Sequence, residues 1–148
     1  MSIGDVNKGY HCAWQIHYHL VFPVKYRKAL LEPAVVEIIK ETTQGIQERY
    51  EIEMEAMGMD DDHIHLLCGA HPKTPPGEIV RIFKSITARE MYTTFPELKK
   101  MMWGTKLWEQ GYFVRSVGDE TTTAAIMRYV EKQGKQRGVK TEQLKFFN

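Results

Sequence analysis

The stretch from Asp62 to Leu67 reads DHIHLL and holds two histidines separated by one apolar residue. Side chains alternate between the two faces of a β-strand, so on a strand His63 and His65 point to one face and Ile64 to the other. Two adjacent imidazoles supply half of a typical metal site. The alternative is a strand with two solvated or hydrogen-bonded histidines, and the His-x-His pattern alone does not decide between them.

Tyr129 and Gln133 could complete such a site. They lie four residues apart in a segment with helical character from Thr121 to about Gln133, so they share one helix face. A tyrosine hydroxyl can form a covalent intermediate, and a glutamine carbonyl can bind a hard cation. If this helix packs over the sheet, the two histidines and Gln133 could hold a divalent cation beside the Tyr129 hydroxyl. The cation would polarise a phosphoryl oxygen. The alternative is a helix-surface Tyr and Gln with no role.

Cys68 and His71 follow the histidine pair and offer a rival set of zinc ligands. Cys68, however, comes five residues after His63, which on a continuous strand places it on the opposite face. The spacing therefore disfavours structural zinc. The chain has only two cysteines, Cys12 and Cys68, which is too few for a disulfide framework and suits a reducing cytoplasm.

Hydrophobic periodicity predicts the elements that position these residues. Alternation from Cys12 to Phe22 predicts a strand in which His17 and His19 lie opposite the apolar set. The segments that follow are predicted as helix over 33–50, a hairpin of strands over 51–59 and 62–69, helix to about 95, a basic and aromatic loop over 97–111, and strand over 112–117. No motif is identified in the tail after Gly134.

The strand–helix–strand–strand–helix–strand order predicts an α+β, ferredoxin-like (RRM-like) βαββαβ fold. Its antiparallel sheet carries helices on one face, and a C-terminal helix with the tyrosine follows. The first and third strands are central neighbours in this fold. The predicted set His17/His19 and the pair His63/His65 would therefore share the open face of the sheet.

Length and composition indicate one globular domain over residues 1–148, with 43% hydrophobic and 26% charged residues. The absence of a membrane-length apolar run and of a secretion signal predicts a cytoplasmic protein with no membrane contact. Residues 1–72 carry a net charge of −5 and residues 73–148 a net charge of +6. The C-terminal half could therefore hold an anion-binding face.

Two basic clusters could contact a nucleic-acid backbone, although each could also be solvated surface. The first is the run Lys25-Tyr26-Arg27-Lys28, whose aromatic ring could stack on a base. The second lies on the predicted helix after residue 76 and consists of Arg81, Lys84 and Arg89.

Together these motifs resemble the single-tyrosine HUH transposases of the insertion-sequence-200-like family, in which HUH denotes two histidines flanking an apolar residue. Five segments match in the family's order and spacing over about residues 10–135. They are residues 18–28 (YHLVFPVKYRK), 62–67, 79–92, 107–114 (LWEQGYFV) and 129–134 (YVEKQG).

The resemblance implies a ferredoxin-like homodimer in which His63, His65 and Gln133 bind Mg²⁺ or Mn²⁺. It implies that Tyr129 attacks single-stranded DNA, forming a 5′-phosphotyrosine link and a free 3′-hydroxyl, and that strand transfer reverses this step. Family members bind DNA hairpins at the ends of the element, and the tyrosine helix often completes the partner's site. His19, on the neighbouring strand, could support a metal-binding histidine or accept the tyrosine's proton.

Two other functions fit parts of the sequence. A noncatalytic nucleic-acid-binding module on a ferredoxin-like sheet, as in RRM domains, would explain the basic half and the aromatic residues. It would not explain the His pair with Tyr129 and Gln133. A replication-initiator-type HUH nickase would share the chemistry, but such proteins usually carry further domains.

Overall fold

The computed structural model describes residues 6–104 and 106–117, together with the backbone of residues 142–145. These residues form seven strands and three α-helices. The strands are β1 (Asn7–Gly9), β2 (Cys12–Trp14), β3 (His17–Pro23), β4 (Ile52–Asp60), β5 (His63–Ala70), β6 (Phe113–Val117) and β7 (Glu142–Lys145). The helices are α1 (Pro33–Arg49), α2 (Pro76–Thr94) and α3 (Pro96–Met101).

Each helix begins at a proline, namely Pro33, Pro76 or Pro96. Proline suits the first helical turn because its fixed φ is already helical and its missing N–H would have no partner there. A single pair of residues, Asp61 and Asp62, separates β4 from β5 and closes the hairpin that carries the histidine pair. Local sequence thus determines both the helix starts and the hairpin.

The main sheet has the strand order β6-β3-β5-β4-β7, and every neighbouring pair is antiparallel. Without β7 this is the order of a ferredoxin-like sheet, with β3 and β5 at its centre. The prediction that the first and third main strands are neighbours is therefore confirmed. β3 and β5 pair in an unbroken register from His17 opposite Gly69 to Pro23 opposite His63.

One face of the sheet packs against the helices and forms the hydrophobic core. From β3 and β5 it contributes Leu20, Phe22, Ile64, Leu66 and Cys68, all of them completely buried. Helices α1 and α2 complete this core with Ile39, Ile46, Ile79 and Phe83, among others. The alternation read from the sequence is therefore correct for both central strands.

Two local predictions were wrong, and one element was not predicted. The first strand does not run unbroken from Cys12, because Cys12–Trp14 pairs with Asn7–Gly9 in a separate hairpin. Residues 97–111 are not all loop, because they include most of α3 and because Trp108 is buried against Phe22 and Phe83. The tail contributes a strand, β7, that pairs with β4 at residues 56–59.

Candidate active site on the histidine face

The second face of the sheet carries the histidines, and we call it the histidine face. His17 and His19 come from β3, and His63 and His65 from β5, so the predicted sharing of one face is confirmed. The face is not open, however. Each of the four imidazoles is at most 3% exposed, and Ala56, Leu67 and Val117 form a small apolar cluster on the same sheet. Buried polar side chains need hydrogen-bond partners, and each histidine has one.

His19 supports His65 across the centre of the face. Its Nε2 lies 2.9 Å from Nδ1 of His65, and the two rings stack with centroids 5.1 Å apart. Burial, and then the positive charge of Arg115 on β6, lower the pKa of His19 from 6.5 to about 4. His19 is therefore neutral at neutral pH, and one nitrogen of this pair donates to the other. If His65 donates from Nδ1, its Nε2 keeps the lone pair that a metal requires.

His63 lies between two carboxylates. Its Nδ1 is 2.8 Å from Oδ1 of Asp62, and its Nε2 is 2.9 Å from Oδ2 of Asp60. The guanidinium of Arg27 donates from Nε to the other oxygen of Asp62 at 3.1 Å. Partial burial alone would raise the pKa of Asp62, but the hydrogen bonds from His63 and Arg27 lower it. The ionised Asp62 thus orients the imidazole, as a carboxylate commonly does for a metal-binding histidine.

The other end of the face is closed by a buried pair. Nδ1 of His17 lies 2.6 Å from Oε1 of Glu55, and both side chains are less than 5% exposed. Glu55 reaches this face because β4 has an irregularity in its register between Met54 and Ala56. Gly69 leaves room for the carboxylate, since a Cβ there would lie 2.8 Å from Oε1 of Glu55. The pairing of His17 with Glu55 was not predicted from the sequence. The one available signal was a glutamate within a run of mostly apolar residues, which indicates a buried carboxylate that needs a partner.

The fit to a divalent cation rests on two imidazoles. Each has a hydrogen-bond partner at Nδ1, so Nε2 is the nitrogen that would bind metal, and the ring centroids lie 4.9 Å apart. Nε2 of His63 also contacts Oδ2 of Asp60 at 2.9 Å, so a metal ion bound by His63 would have to displace that contact. Across residues 6–104 and 106–117, no three His, Cys, Asp or Glu side chains converge as a metal site. The predicted third ligand Gln133 and the nucleophile Tyr129 lie outside the described residues. A glutamine oxygen suits hard cations such as Mg²⁺ and Mn²⁺, whereas imidazole nitrogens favour transition metals.

The rival zinc set does not come together. Cys68 is completely buried in the apolar core on the opposite face of β5, and burial raises the pKa of its thiol. His71 packs against Trp14, with ring centroids 4.6 Å apart. The strand geometry therefore separates Cys68 from the histidine pair, as the spacing predicted.

The two basic clusters meet at a groove of about 790 Å³ beside α2, which we call the basic groove. Four of the predicted DNA-binding residues, Lys25, Arg81, Lys84 and Arg89, line it. Lys99 and Lys106, which the sequence placed only in a basic loop, line it as well. The backbone N–H of Lys25 donates to the carbonyl of Leu107 at 2.8 Å, and this bond brings the first cluster to the groove.

Some of the basic side chains in the groove already bind protein groups and are therefore less available to bind phosphate. Lys84 donates to the carbonyls of Glu109 and Gly111 at 2.8 and 2.6 Å, and partial burial lowers its pKa. Arg81 forms an ion pair with Glu78 on its own helix. The remaining residues of the first cluster, Tyr26, Arg27 and Lys28, do not line this groove. Arg27 binds Asp62 instead, which connects this cluster to His63.

Comparison with known proteins gives the family. Residues 12–133 match the family model described as "Transposase IS200 like". The ISDra2 transposase TnpA of Deinococcus radiodurans is 34% identical over 129 residues, which span 87% of this chain and 91% of that protein. The transposase for insertion sequence element IS200 of Salmonella typhimurium is 30% identical over 135 residues, which span 88% of this chain and 85% of that protein.

Comparison with solved structures also finds transposases. A Deinococcus radiodurans protein whose crystal structure is described as that of a transposase superposes with a TM-score of 0.71 at 35% identity. That match covers 86% of this chain and 97% of the other. A REP-associated tyrosine transposase bound to a REP hairpin has a TM-score of 0.57 at 9% identity, covering 89% of this chain and 75% of that one, and this shows the shared fold.

The chain belongs to the IS200-like transposase family, as the resemblance predicted. Its fold is that of a ferredoxin-like α+β domain. None of the described helices is long and apolar enough to cross a bilayer.

Proposed function

We propose that this chain cleaves and rejoins single-stranded DNA at the ends of an insertion sequence through a tyrosine nucleophile. The carrying observation is the buried pair His63 and His65, each oriented at Nδ1 by a hydrogen bond, in a chain of a transposase family. Burying polar side chains without a role is costly, so a preoriented histidine pair supports a catalytic use.

In the proposed reaction the Tyr129 oxygen attacks a backbone phosphorus. A tyrosine–phosphate bond forms on the 5′ side and the bond from phosphorus to the 3′ oxygen breaks. Overall, the proton lost by the Tyr129 hydroxyl is gained by that oxygen, which leaves as a 3′-hydroxyl. Mg²⁺ or Mn²⁺ held by His63, His65 and Gln133 would polarise the phosphoryl oxygen. The reverse attack by a 3′-hydroxyl restores a phosphodiester, so bond energy is conserved and no nucleotide cofactor is needed.

The role proposed for His19 is to position His65. With its pKa lowered to about 4, His19 is a weak proton acceptor at neutral pH. Its Nε2 is instead placed to accept a hydrogen bond from Nδ1 of His65 at 2.9 Å. A neutral acceptor at this position keeps His65 in the tautomer that presents Nε2.

The basic groove and the 25–28 turn support DNA binding. Lys25, Arg89, Lys99 and Lys106 supply the positive charge that a phosphate backbone needs. The REP-associated structure holds a REP hairpin. For this chain we propose hairpins at the element's ends as the DNA that the basic groove binds.

A homodimer is proposed on the evidence of the sheet edge. Among the described strands β6 lies at one edge, where Tyr112, Phe113 and Val114 are each at least 37% exposed. An edge strand with exposed apolar side chains is a ready surface for pairing with a second chain. Dimer formation would bury this edge.

The proposal is tested with single-stranded DNA that carries a candidate element end, labelled at the 5′ or the 3′ terminus. We expect a protein-linked label in Mg²⁺ that disappears with EDTA and in Tyr129→Phe. Addition of a second element end should then give strand-transfer products. Nicking without strand transfer would favour the replication-initiator type of function. Tight binding without any adduct, across several metals and DNAs, would favour a noncatalytic binding module.

A further inference from the structure

Two exposed aromatic side chains meet outside the basic groove. Tyr26 comes from the turn after β3 and Trp103 from the turn after α3, and their ring centroids lie 5.9 Å apart at 60°. Tyr26 is 51% exposed and Trp103 is 74% exposed. Large aromatic side chains normally bury most of their surface, so a solvent-facing pair from two distant turns calls for a binding role.

The backbone under both rings is unusual. Tyr26 has φ = 62° and Trp103 has φ = 53°, both in the left-handed region that bulky residues avoid. Two hydrogen bonds hold the turns in place, from Lys28 Nζ to the carbonyl of Met101 at 3.0 Å and from the Gly104 N–H to the carbonyl of Lys99 at 2.8 Å. Strained turns that the surrounding structure fixes are typical of ligand-binding positions.

Positive charges border both rings. Lys28 Nζ lies 4.7 Å from the centroid of the Trp103 ring, and Lys25 Nζ lies 5.4 Å from that of Tyr26. A purely apolar partner would gain nothing from these ammonium groups. A nucleotide would use both features, because its base has a flat π face and its phosphate is an anion. The base must be unpaired, since the faces of paired bases are covered by their neighbours in the duplex.

The position of the pair also fits a DNA strand that leads to the histidines. The 25–28 turn is bonded to residue 62, through Val24 N–H to the Asp62 carbonyl at 2.7 Å and through the Arg27 side chain. Asp62 in turn holds His63. A base bound at this turn would therefore lie on the part of the strand that approaches the site.

We propose that Tyr26 and Trp103 form a stacking site for one unpaired base of the bound DNA strand, with Lys25 and Lys28 contacting the adjacent phosphates. This inference rests on the proposed function, because it assumes that the chain binds single-stranded DNA.

The test compares two probes, a 12-nucleotide oligo-dT and an oligomer of the same length in which every base is replaced by an abasic tetrahydrofuran residue. Affinity is measured by fluorescence anisotropy in EDTA, so that cleavage does not interfere. Stacking on one base is expected to give the unsubstituted protein roughly a tenfold preference for oligo-dT. Trp103→Ala should reduce that preference to about twofold or less while the affinity for the abasic oligomer stays unchanged. Trp103→Phe should keep most of it.

Tyr10→Ala is the matched control, because Tyr10 is 90% exposed and lies outside both basic clusters. It should leave the preference intact. Equal losses for both oligomers in Trp103→Ala, or no preference in the unsubstituted protein, would overturn the stacking site. If cleavage of element ends persists in that case, the proposed function survives. If neither oligomer binds and no element end is cleaved, both proposals fail.

Discussion

The two faces of the central strands β3 and β5 are both largely buried but differ in composition. From β5, Ile64, Leu66 and Cys68 point to the helices, whereas His63 and His65 point to the histidine face. The helix-packed face follows the ordinary rule that apolar side chains fill the core. The histidine face breaks that rule at four buried histidines, although apolar side chains would have been less costly to bury there. The comparison teaches that burial alone does not identify an apolar core, because a buried face can be polar, and such a face is a candidate functional surface.

The largest effect should come from removing a proposed metal ligand. His63→Ala is expected to lower the single-turnover rate of DNA cleavage roughly a thousandfold or more, since it would remove a ligand of the ion proposed to polarise the phosphoryl group. Mn²⁺ binding, followed by electron paramagnetic resonance, should weaken in parallel. A variant that keeps its circular dichroism spectrum and cleaves at the original rate would remove His63 from the site.

The second effect tests the closed end of the histidine face. His17→Ala leaves the Glu55 carboxylate buried without its 2.6 Å partner, and we expect a loss of about 3–5 kcal/mol in the free energy of unfolding. The measurement is urea denaturation. Replacing both residues, as in His17→Leu with Glu55→Leu, should recover most of the loss. If the single and double variants are equally unstable, the loss of stability does not come from leaving Glu55 without its partner.

A smaller effect should follow from loosening the support of His63. Asp62→Asn keeps the size of the side chain but removes the charge that orients Nδ1 of His63, and we expect a tenfold to hundredfold loss of metal affinity or cleavage. Titration of the protein with Mn²⁺ measures the affinity directly. Arg27→Gln should have a weaker effect on metal affinity in the same direction, because Arg27 reaches His63 through Asp62. Unchanged affinity in Asp62→Asn would show that the carboxylate does not support the ligand.

The smallest effects compare two glycines. Gly69→Ala places a Cβ 2.8 Å from Glu55 Oε1 and should force the carboxylate away from His17, for a loss of about 1–3 kcal/mol in unfolding free energy. Gly45 lies in α1, and apart from the helix's own backbone and the adjacent residues no heavy atom lies within 4 Å of an added Cβ. Gly45→Ala should therefore stabilise the chain by about 0.5–1 kcal/mol. Chemical denaturation of both variants gives the comparison. If both substitutions changed the free energy of unfolding in the same direction, the expected contrast between the two glycines would be wrong.

Much of the scaffold could be predicted because its signals are local. Alternation fixed which residues of β3 and β5 share a face, and the order of elements was sufficient to place these strands side by side. The break before His17 could not be read from the alternation, because Trp14 and Ile16 continue the same pattern while β2 pairs with β1. Strand β7 escaped prediction because its pairing with β4 is a long-range choice.

The contacts within the candidate site were harder to predict from the sequence. The histidine pair was visible from its spacing, but its partners Asp60 and His19 follow from pairing between strands. The 25–28 cluster was expected to contact DNA, and nothing in its sequence indicated that Arg27 would bind Asp62. Trp108 was expected in a loop, whereas its indole N–H donates to Thr87 at 3.0 Å inside the core. Contacts between residues distant in sequence decided each of these points.

The strand order has a consequence for the nascent chain. The β4–β5 hairpin closes through two residues and can form as soon as it leaves the ribosome, and β3, made earlier, can then join β5. The other edge of β3 has no partner until Phe113–Val117 has been synthesised, because β6 supplies it. During that interval a central strand presents its unpaired backbone groups, which is the state in which growing chains pair with the wrong neighbour. A strand translated about 90 residues after β3 therefore protects the strand bearing His17 and His19.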